Sequence, residues 1–198
     1  MKPMGRPREF DIEKALDKAG ELFWRKGYDG TSLSDLTRAI GITPPSFYVA
    51  FKSKEALFKQ VVDRYQSRQQ LGIFAEALNQ ATPLAVAERV LYGLADSYTS
   101  KLNPRGCLVI NSSLPCSDET EDSVRHELAE LRTASRIELR KRFKHFQSNG
   151  ALPADADPDA LARYIVTIAW GMAVEAQSGA SRSDLHRTVK QALTSWPA

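Results

Sequence analysis

Two sets of side chains in this sequence could do chemistry. The first lies between Thr31 and Lys54, in TSLSDLTRAIGITPPSFYVAFKSK. Thr43 and Ser46 are short enough to reach base edges, and Val49 could touch a thymine methyl. Tyr48, Lys52 and Lys54 have the reach for phosphate oxygens. Pro44 and Pro45 sit among them, and Ser32 opens the apolar segment before them. These types at this spacing support hydrogen bonding and charge pairing to a polyanionic duplex. The second set is Arg105-Gly106-Cys107-Leu108, a thiol two residues from a guanidinium. A neighbouring cation or a helix N-terminus favours thiolate and so reactivity. Cys116 would resolve a disulfide if the fold brought it close enough. The competing reading of Cys107 is a small buried hydrophobe.

Catalytic and metal-binding signatures are missing. His126, His145 and His186 stand alone on polar helical stretches, with no Cys or second His at ligand spacing. No Gly-rich phosphate loop or nucleophile elbow occurs. Glu119, Glu121 and Asp122 read as the charged start of a helix. The expectation is a protein that is not an enzyme and needs neither cofactor nor metal.

The first set needs a rigid carrier, and the flanking pattern supplies one. Leu33, Leu36 and Ile40 recur at helical spacing, Gly41 breaks the run, and Phe47 and Phe51 back a second short segment. Two short helices joined by a Gly-containing turn make a helix-turn-helix. The turn alone is equally compatible with an αα-hairpin in a bundle. Ser32 with Asp35 three residues on predicts a capped start. The residue before a proline resists the α region, so the second helix is expected to become regular only at Pro45. A preceding helix over Asp11–Lys26 buries Ile12, Ala15, Leu16, Ala19, Leu22 and Phe23 and ends at Gly27. A following helix from Lys54 turns Leu57, Phe58, Val61 and Tyr65 inward and runs to Gln70 or beyond. Ahead of all these lies a basic arm, MKPMGRPRE. Its Arg6 and Arg8 could enter an A·T-rich minor groove, or the arm is an unstructured leader.

With 198 residues, 42% hydrophobic, the chain can build one large domain or two small ones. The charge is uneven. Residues 1–68 hold 13 basic and 9 acidic side chains, and residues 69–198 hold 14 and 15. The positive excess thus travels with the helix-turn-helix. Two cysteines make no disulfide framework, which fits a cytoplasmic location. No apolar run could span a bilayer, so no membrane partner is expected.

Beyond residue 70 the pattern stays helical. Pro83 after Thr82 starts a helix with Leu84, Ala87, Val90, Leu91, Leu94 and Tyr98 on one face. The run Cys107–Ile110 fits strand or buried helix by pattern, and its helical surroundings favour helix. A long helix over about 120–148 carries the stripe Val124, Leu128, Leu131, Ser135, Leu139, Phe143 and Phe146. Its other face holds Arg132, Arg136, Arg140, Lys141, Arg142 and Lys144, either solvated and paired with Glu127, Glu130 and Glu138 or a second nucleic-acid surface. The helix from Pro158 is apolar nearly all round, which predicts burial on more than one side, by a second molecule or as a central core helix. A last helix spans about 183–194.

The stretch ending at Phe58, LFWRKGYDGTSLSDLTRAIGITPPSFYVAFKSKEALF, resembles the DNA-binding domain of TetR/AcrR-family transcriptional regulators. The pieces that carry it are Lys26-Gly27-Tyr28, Thr31-Ser32, Leu36, Ile40-Gly41-Ile42, Phe47-Tyr48 and Phe51-Lys52-Ser53-Lys54-Glu55. Val49 and Ala50 depart from it, where members often carry aromatic or imidazole side chains. The resemblance implies an all-α fold, with a three-helix helix-turn-helix domain over 1–66 and a helical ligand-binding and dimerisation domain over 67–198. It implies a homodimer that represses transcription at a palindromic double-stranded DNA operator and leaves it on binding a small-molecule effector. The effector pocket would draw on Tyr92, Tyr98, Cys107, Leu108, Phe143, Phe146 and Trp170. The dimer would rest on Tyr164, Ile165, Ile168, Met172, Leu185, Val189 and Leu193. Gly106-Cys107-Leu108 is also similar to a subgroup of that family with a sensor cysteine. That implies an alternative, a redox- or electrophile-responsive repressor acting through Cys107.

Overall fold

The structure is a computed structural model and describes residues 11–114 and 120–196, the side chains of residues 69–71 left aside. Among these residues it forms α-helices, one π-helical turn and no strand. Helix α1 (Ile12–Lys26) is capped by the Asp11 carboxylate, which accepts the Lys14 N–H at 3.1 Å. It buries Ala15, Leu16, Ala19, Phe23 and Trp24, while Ile12, expected inside, is about half exposed. Helix α2 (Leu33–Ile40) starts in a full capping box. The Ser32 hydroxyl accepts from Asp35 N–H at 3.0 Å, and Ser32 N–H donates back to the Asp35 carboxylate at 3.3 Å. Gly41 ends it at φ 88°, ψ 36°, a left-handed conformation that glycine adopts without steric penalty. Helix α3 (Pro44–Phe51) is capped by Thr43 and is already helical at Pro44, one residue earlier than expected. A proline at the first helical position gives up only an N–H that has no helical partner, and this outweighs the bias imposed by Pro45. Helix α4 (Lys54–Tyr65) starts at Ser53.

These four helices close on an aromatic core. The Phe23 ring lies 5.0 Å from Phe58 and 6.0 Å from Tyr28, and Phe47 lies 5.5 Å from Phe51. Each such ring fully buried contributes about 1.5–3 kcal/mol, enough to hold short helices that would be marginal alone.

Helix α4 runs through the π-helical turn Gln66–Gln70 into α5 (Leu71–Leu78). Then come α6 (Pro83–Tyr98), α7 (Leu108–Ser113), α8 (Asp122–Ser148), α9 (Pro158–Gln177) and α10 (Arg182–Leu193). Leu84, expected inward, is exposed at the start of α6. Helix α6 packs on α5, α9 and α10, and α8 lies along α9. The short α7 is wedged between α1 on one side and α8 and α9 on the other. It and the two residues before it are pinned to the first four helices by three polar contacts. Trp24 Nε1–H donates to Gly106 O at 3.3 Å, Asn111 Nδ2 donates to Trp24 O at 2.9 Å, and the Tyr65 hydroxyl donates to Cys107 Sγ at 3.3 Å. Gly106 permits close approach on the other side, to α9. Its φ is 80°, and a Cβ there would lie 2.7 Å from the Ala173 carbonyl oxygen.

Candidate nucleic-acid interface and regulatory cavity

Helix α3 turns Phe47 and Phe51 into the core and leaves its other side open. Thr43, Pro44, Pro45, Ser46, Tyr48, Val49 and Lys52 are all exposed. Val49 is 88% exposed, so it has no structural partner to explain an apolar residue at the centre of this face. The Thr43 and Ser46 hydroxyls lie 3.0 Å apart and bond each other. The Ser46 hydroxyl can turn outward by a χ1 rotation, while Thr43 Oγ1 also accepts the Ser46 N–H as the α3 cap. Ser32 is exposed nearby, its hydroxyl engaged in the α2 cap. Arg6 and Arg8 lie outside the described residues.

Lys54 departs from the expected role. Its ammonium lies 4.0 Å above the Tyr28 ring, half-buried, rather than on the open face with Lys52. Burial pulls its pKa down, while Glu121 and Asp29 act the other way. Burial first, then Glu121, pushes the Tyr28 phenol far up. Lys54 thus belongs to a junction between the first four helices and the start of α8. The same junction holds Thr120 Oγ1 to Asp29 at 2.6 Å, Lys59 to Glu127 at 2.9 Å, and Ser123 to Glu55.

The residues expected to form one effector pocket divide. Tyr98, Cys107 and Trp170 line a cavity of about 30 Å³ between α5, α6, α7, α8 and α9. Leu108 instead faces a separate cleft of about 420 Å³ between α1, α4 and the α6–α7 connection. Tyr92 packs its ring on His186 at 5.0 Å, Phe143 packs on Trp196 at 5.7 Å, and Phe146 lies under Arg142. These three are structural contacts away from the cavity. Phe74, Leu131, Arg132, Ser135 and Val166 join its lining, and the sequence reading did not single them out for it. The available signal was Ser135, the one polar member of the apolar stripe of α8.

Cys107 is 2% exposed and stands just before α7. Burial raises its pKa, against the opposing effects of Tyr65, the Ile110 and Val109 backbone and Tyr98. Arg105 does not activate it. That guanidinium reaches the end of α9 instead, donating from Nε to Ala176 O at 2.8 Å and from Nη2 to Ala180 O. Carbonyls at and just beyond a helix C-terminus attract a cation, which accounts for where Arg105 points. Cys116 lies outside the described residues.

The dimer residues also divide. Ile165, Met172, Leu185 and Val189 are 0–1% exposed within the single chain, so they fill its own core and offer no surface to a second copy. Tyr164 is 37% exposed, and Ile168 and Leu193 are half-buried. The basic face of α8 pairs differently from expectation as well. Lys141 bonds Glu138 at 2.7 Å, but Glu127 goes to Lys59, Glu130 to His126, and Arg136 to Asp159 on α9.

Among the described residues, an all-helical fold whose third helix offers an exposed face from an aromatic four-helix core is that of a helix-turn-helix DNA-binding protein. Residues 15–61 match the model for bacterial regulatory proteins of the tetR family, and residues 85–196 match the tetracyclin repressor-like C-terminal domain. The chain belongs to the TetR family. It is 34% identical over 200 residues to the HTH-type transcriptional repressor ComR of Escherichia coli (strain K12), covering 99% of this chain and 93% of that protein. A cysteine mutant of the TetR-family regulator CifR, complexed with 26 bp double-strand operator DNA, superposes with a TM-score of 0.90. That match has 35% identity and covers 98% of this chain and 100% of CifR. Reduced NemR of E. coli shares the fold at 21% identity and TM-score 0.70, covering 91% of this chain and 93% of NemR.

Proposed function

We propose that this chain is a dimeric transcriptional repressor that binds a palindromic operator through α3 and leaves it when a small molecule enters the α6–α9 region. The observation that carries this is the α3 face. An exposed hydroxyl pair, a tyrosine, a valine and a lysine stand clear of a core that needs none of them. In this reading Thr43, Ser46 and Val49 read bases. Ser32, Tyr48 and Lys52 hold phosphates, with Pro44 and Pro45 fixing the helix start and Arg6 and Arg8 adding minor-groove contacts. Residues 1–66 serve as the DNA-binding unit and 67–198 as the sensing and dimerising unit, working in the cytoplasm without catalysis. Operator DNA bound by CifR supports the nucleic-acid role.

Thr43 and Ser46 specify while Tyr48 and Lys52 only anchor, which a selection of bound duplexes from a random pool separates. Ser46→Ala is expected to change base preference, at about 1–3 kcal/mol for the affected pair. Tyr48→Ala is expected to weaken all sites alike. Equal affinity of the wild-type protein for every duplex would overturn the operator reading.

A further inference from the structure

We infer that the cavity between α6, α7, α8 and α9 is a site for a small organic anion, its carboxylate held by Arg132 and Ser135 and its apolar body enclosed by Phe74 and Trp170. The inference rests on the effector reading above and names the chemical class that site takes.

Among the described residues, Arg132 supplies the only charge in the cavity lining. It is partly buried, and among the described residues no carboxylate pairs with it. Three other cations of α8 are engaged, whereas Arg140, whose buried Nε has no partner among the described residues, does not line this cavity. Arg136 bonds Asp159 at 2.5 Å, Lys141 bonds Glu138 at 2.7 Å, and Arg142 donates to Gln80 O at 2.8 Å. A guanidinium with part of its water removed and no counter-ion gains from a carboxylate, which it grips with paired N–H donors. Ser135 follows within one turn on the same wall and adds a hydroxyl donor. The remaining lining is apolar or aromatic, apart from the Tyr98 hydroxyl and the Cys107 thiol, and the thiol already accepts from the Tyr65 hydroxyl. One charge at one edge of an apolar space selects an amphipathic monoanion over a sugar, a polyamine or a neutral hydrocarbon.

Size follows from the walls. In this conformation the cavity is about 30 Å³, room for one or two waters. Phe74 and Trp170 are the half-buried aromatic members of the lining, so in this proposal a single ring or a short chain enters by rotating them aside. The opposite wall is α7, which is pinned to Trp24 and Tyr65 of α1 and α4. Filling the cavity therefore presses on the element that positions the DNA-binding helices.

The test uses the full-length protein with benzoate and its uncharged isostere benzamide, titrated calorimetrically, with operator affinity measured in parallel. Benzoate is expected to bind about tenfold more tightly than benzamide, as a charge-assisted hydrogen bond allows. Arg132→Gln is expected to erase that preference while leaving benzamide binding unchanged, and Arg132→Lys to keep part of it. Matched thermal melts check that both variants fold. Equal affinities for the two probes, a benzoate preference that survives in Arg132→Gln, or no binding of benzoate at millimolar concentration would overturn the anion site. Release of operator by benzamide as readily as by benzoate would sink the anion class and leave the effector reading intact. Arg132-dependent benzoate binding with unchanged operator affinity would do the reverse.

Discussion

Lys52 has φ 68° and ψ −51°, and Ser53 N–H donates across it to Phe51 O at 2.8 Å. A side-chain-bearing residue in that tight three-residue turn stores roughly 1–3 kcal/mol of strain. The turn folds the end of α3 onto the start of α4 and leaves the lysine ammonium exposed beside the α3 face. Lys52→Gly relieves the strain and adds chain entropy worth about 0.4–1 kcal/mol to the unfolded state. A net gain of about 1 kcal/mol is expected in urea unfolding. Lys52→Ala keeps the strain, so it should bring no such gain, and both variants should lower the salt slope of DNA binding by about one. The position of Lys52 on the open face was legible from Phe47 and Phe51. The strain was not, because nothing in a Phe-Lys-Ser tripeptide announces a positive φ. Likewise Lys54 looked like a phosphate ligand until Tyr28, Asp29 and Glu121, distant in sequence, gathered round it. Cys107 makes the same point. Its neighbour Arg105 suggested activation, yet the α9 carbonyls take that guanidinium and burial raises the thiol pKa. In a Cys116→Ser background, Cys107 is expected to react with iodoacetamide at least about a hundredfold more slowly in native than in unfolded protein. Comparable rates would restore the thiol-sensor reading.

Among the elements, α7 carries the most structural consequence for its six residues. Asn111 is 5% exposed and its Nδ2 donates to Trp24 O and, at 3.3 Å, to Arg105 O, tying α1 to α7 and the turn before it. Asn111→Ala strands the buried Trp24 carbonyl and frees the part-buried Arg105 one, and is expected to cost about 2 kcal/mol in denaturant unfolding. A loss under 0.5 kcal/mol, roughly the size of a neutral surface change, would show the strut to be dispensable. The other tie between elements is electrostatic. The Asp96 carboxylate on α6 receives Arg182 at 2.6 and 2.7 Å and His186 at 2.6 Å, both from α10. Burial works to raise its pKa, but Arg182 and His186 hold it below its ordinary 3.8. A lowered carboxyl pKa stabilises the fold above the ordinary value, and the contribution is lost as pH falls through the lowered one. Urea midpoints taken from about pH 5 down to about pH 3 should therefore fall more steeply in wild type than in Asp96→Asn. Helical period, prolines and caps made most of these elements readable, α7 included, because short apolar runs among helices tend to be helical. Which helix faces which was not readable, since a stripe of apolar residues names a buried side without naming its partner.

At the scale of the whole molecule the unsettled surface is the outer side of α9. Apolar residues nearly all round that helix indicated two buried sides. The single chain covers one of them with Ile165, Met172 and Ala173. On the other side Tyr164 and Val174 are each 37% exposed, Ile168 and Leu161 are half-buried, and Gly171 is open. A tyrosine and several aliphatic groups beside an exposed glycine form the kind of patch that a second helix can approach closely. The two-fold symmetry of a palindrome requires a protein with the same symmetry. The prediction is that Ile168→Arg separates the proposed dimer without unfolding the chain. An arginine desolvated at an interface with no partner costs at least about 3 kcal/mol, which raises the dimer dissociation constant a hundredfold or more. Sedimentation should then show a monomer with unchanged helical circular dichroism. Operator affinity should fall with it, because each half-site would have to be bound separately. Ile165→Arg is the contrast, since that side chain is 0% exposed and its replacement should unfold the protein. A wild-type chain that sediments as a monomer at micromolar concentration, or an Ile168→Arg variant that remains a dimer, would place the two-fold contact elsewhere.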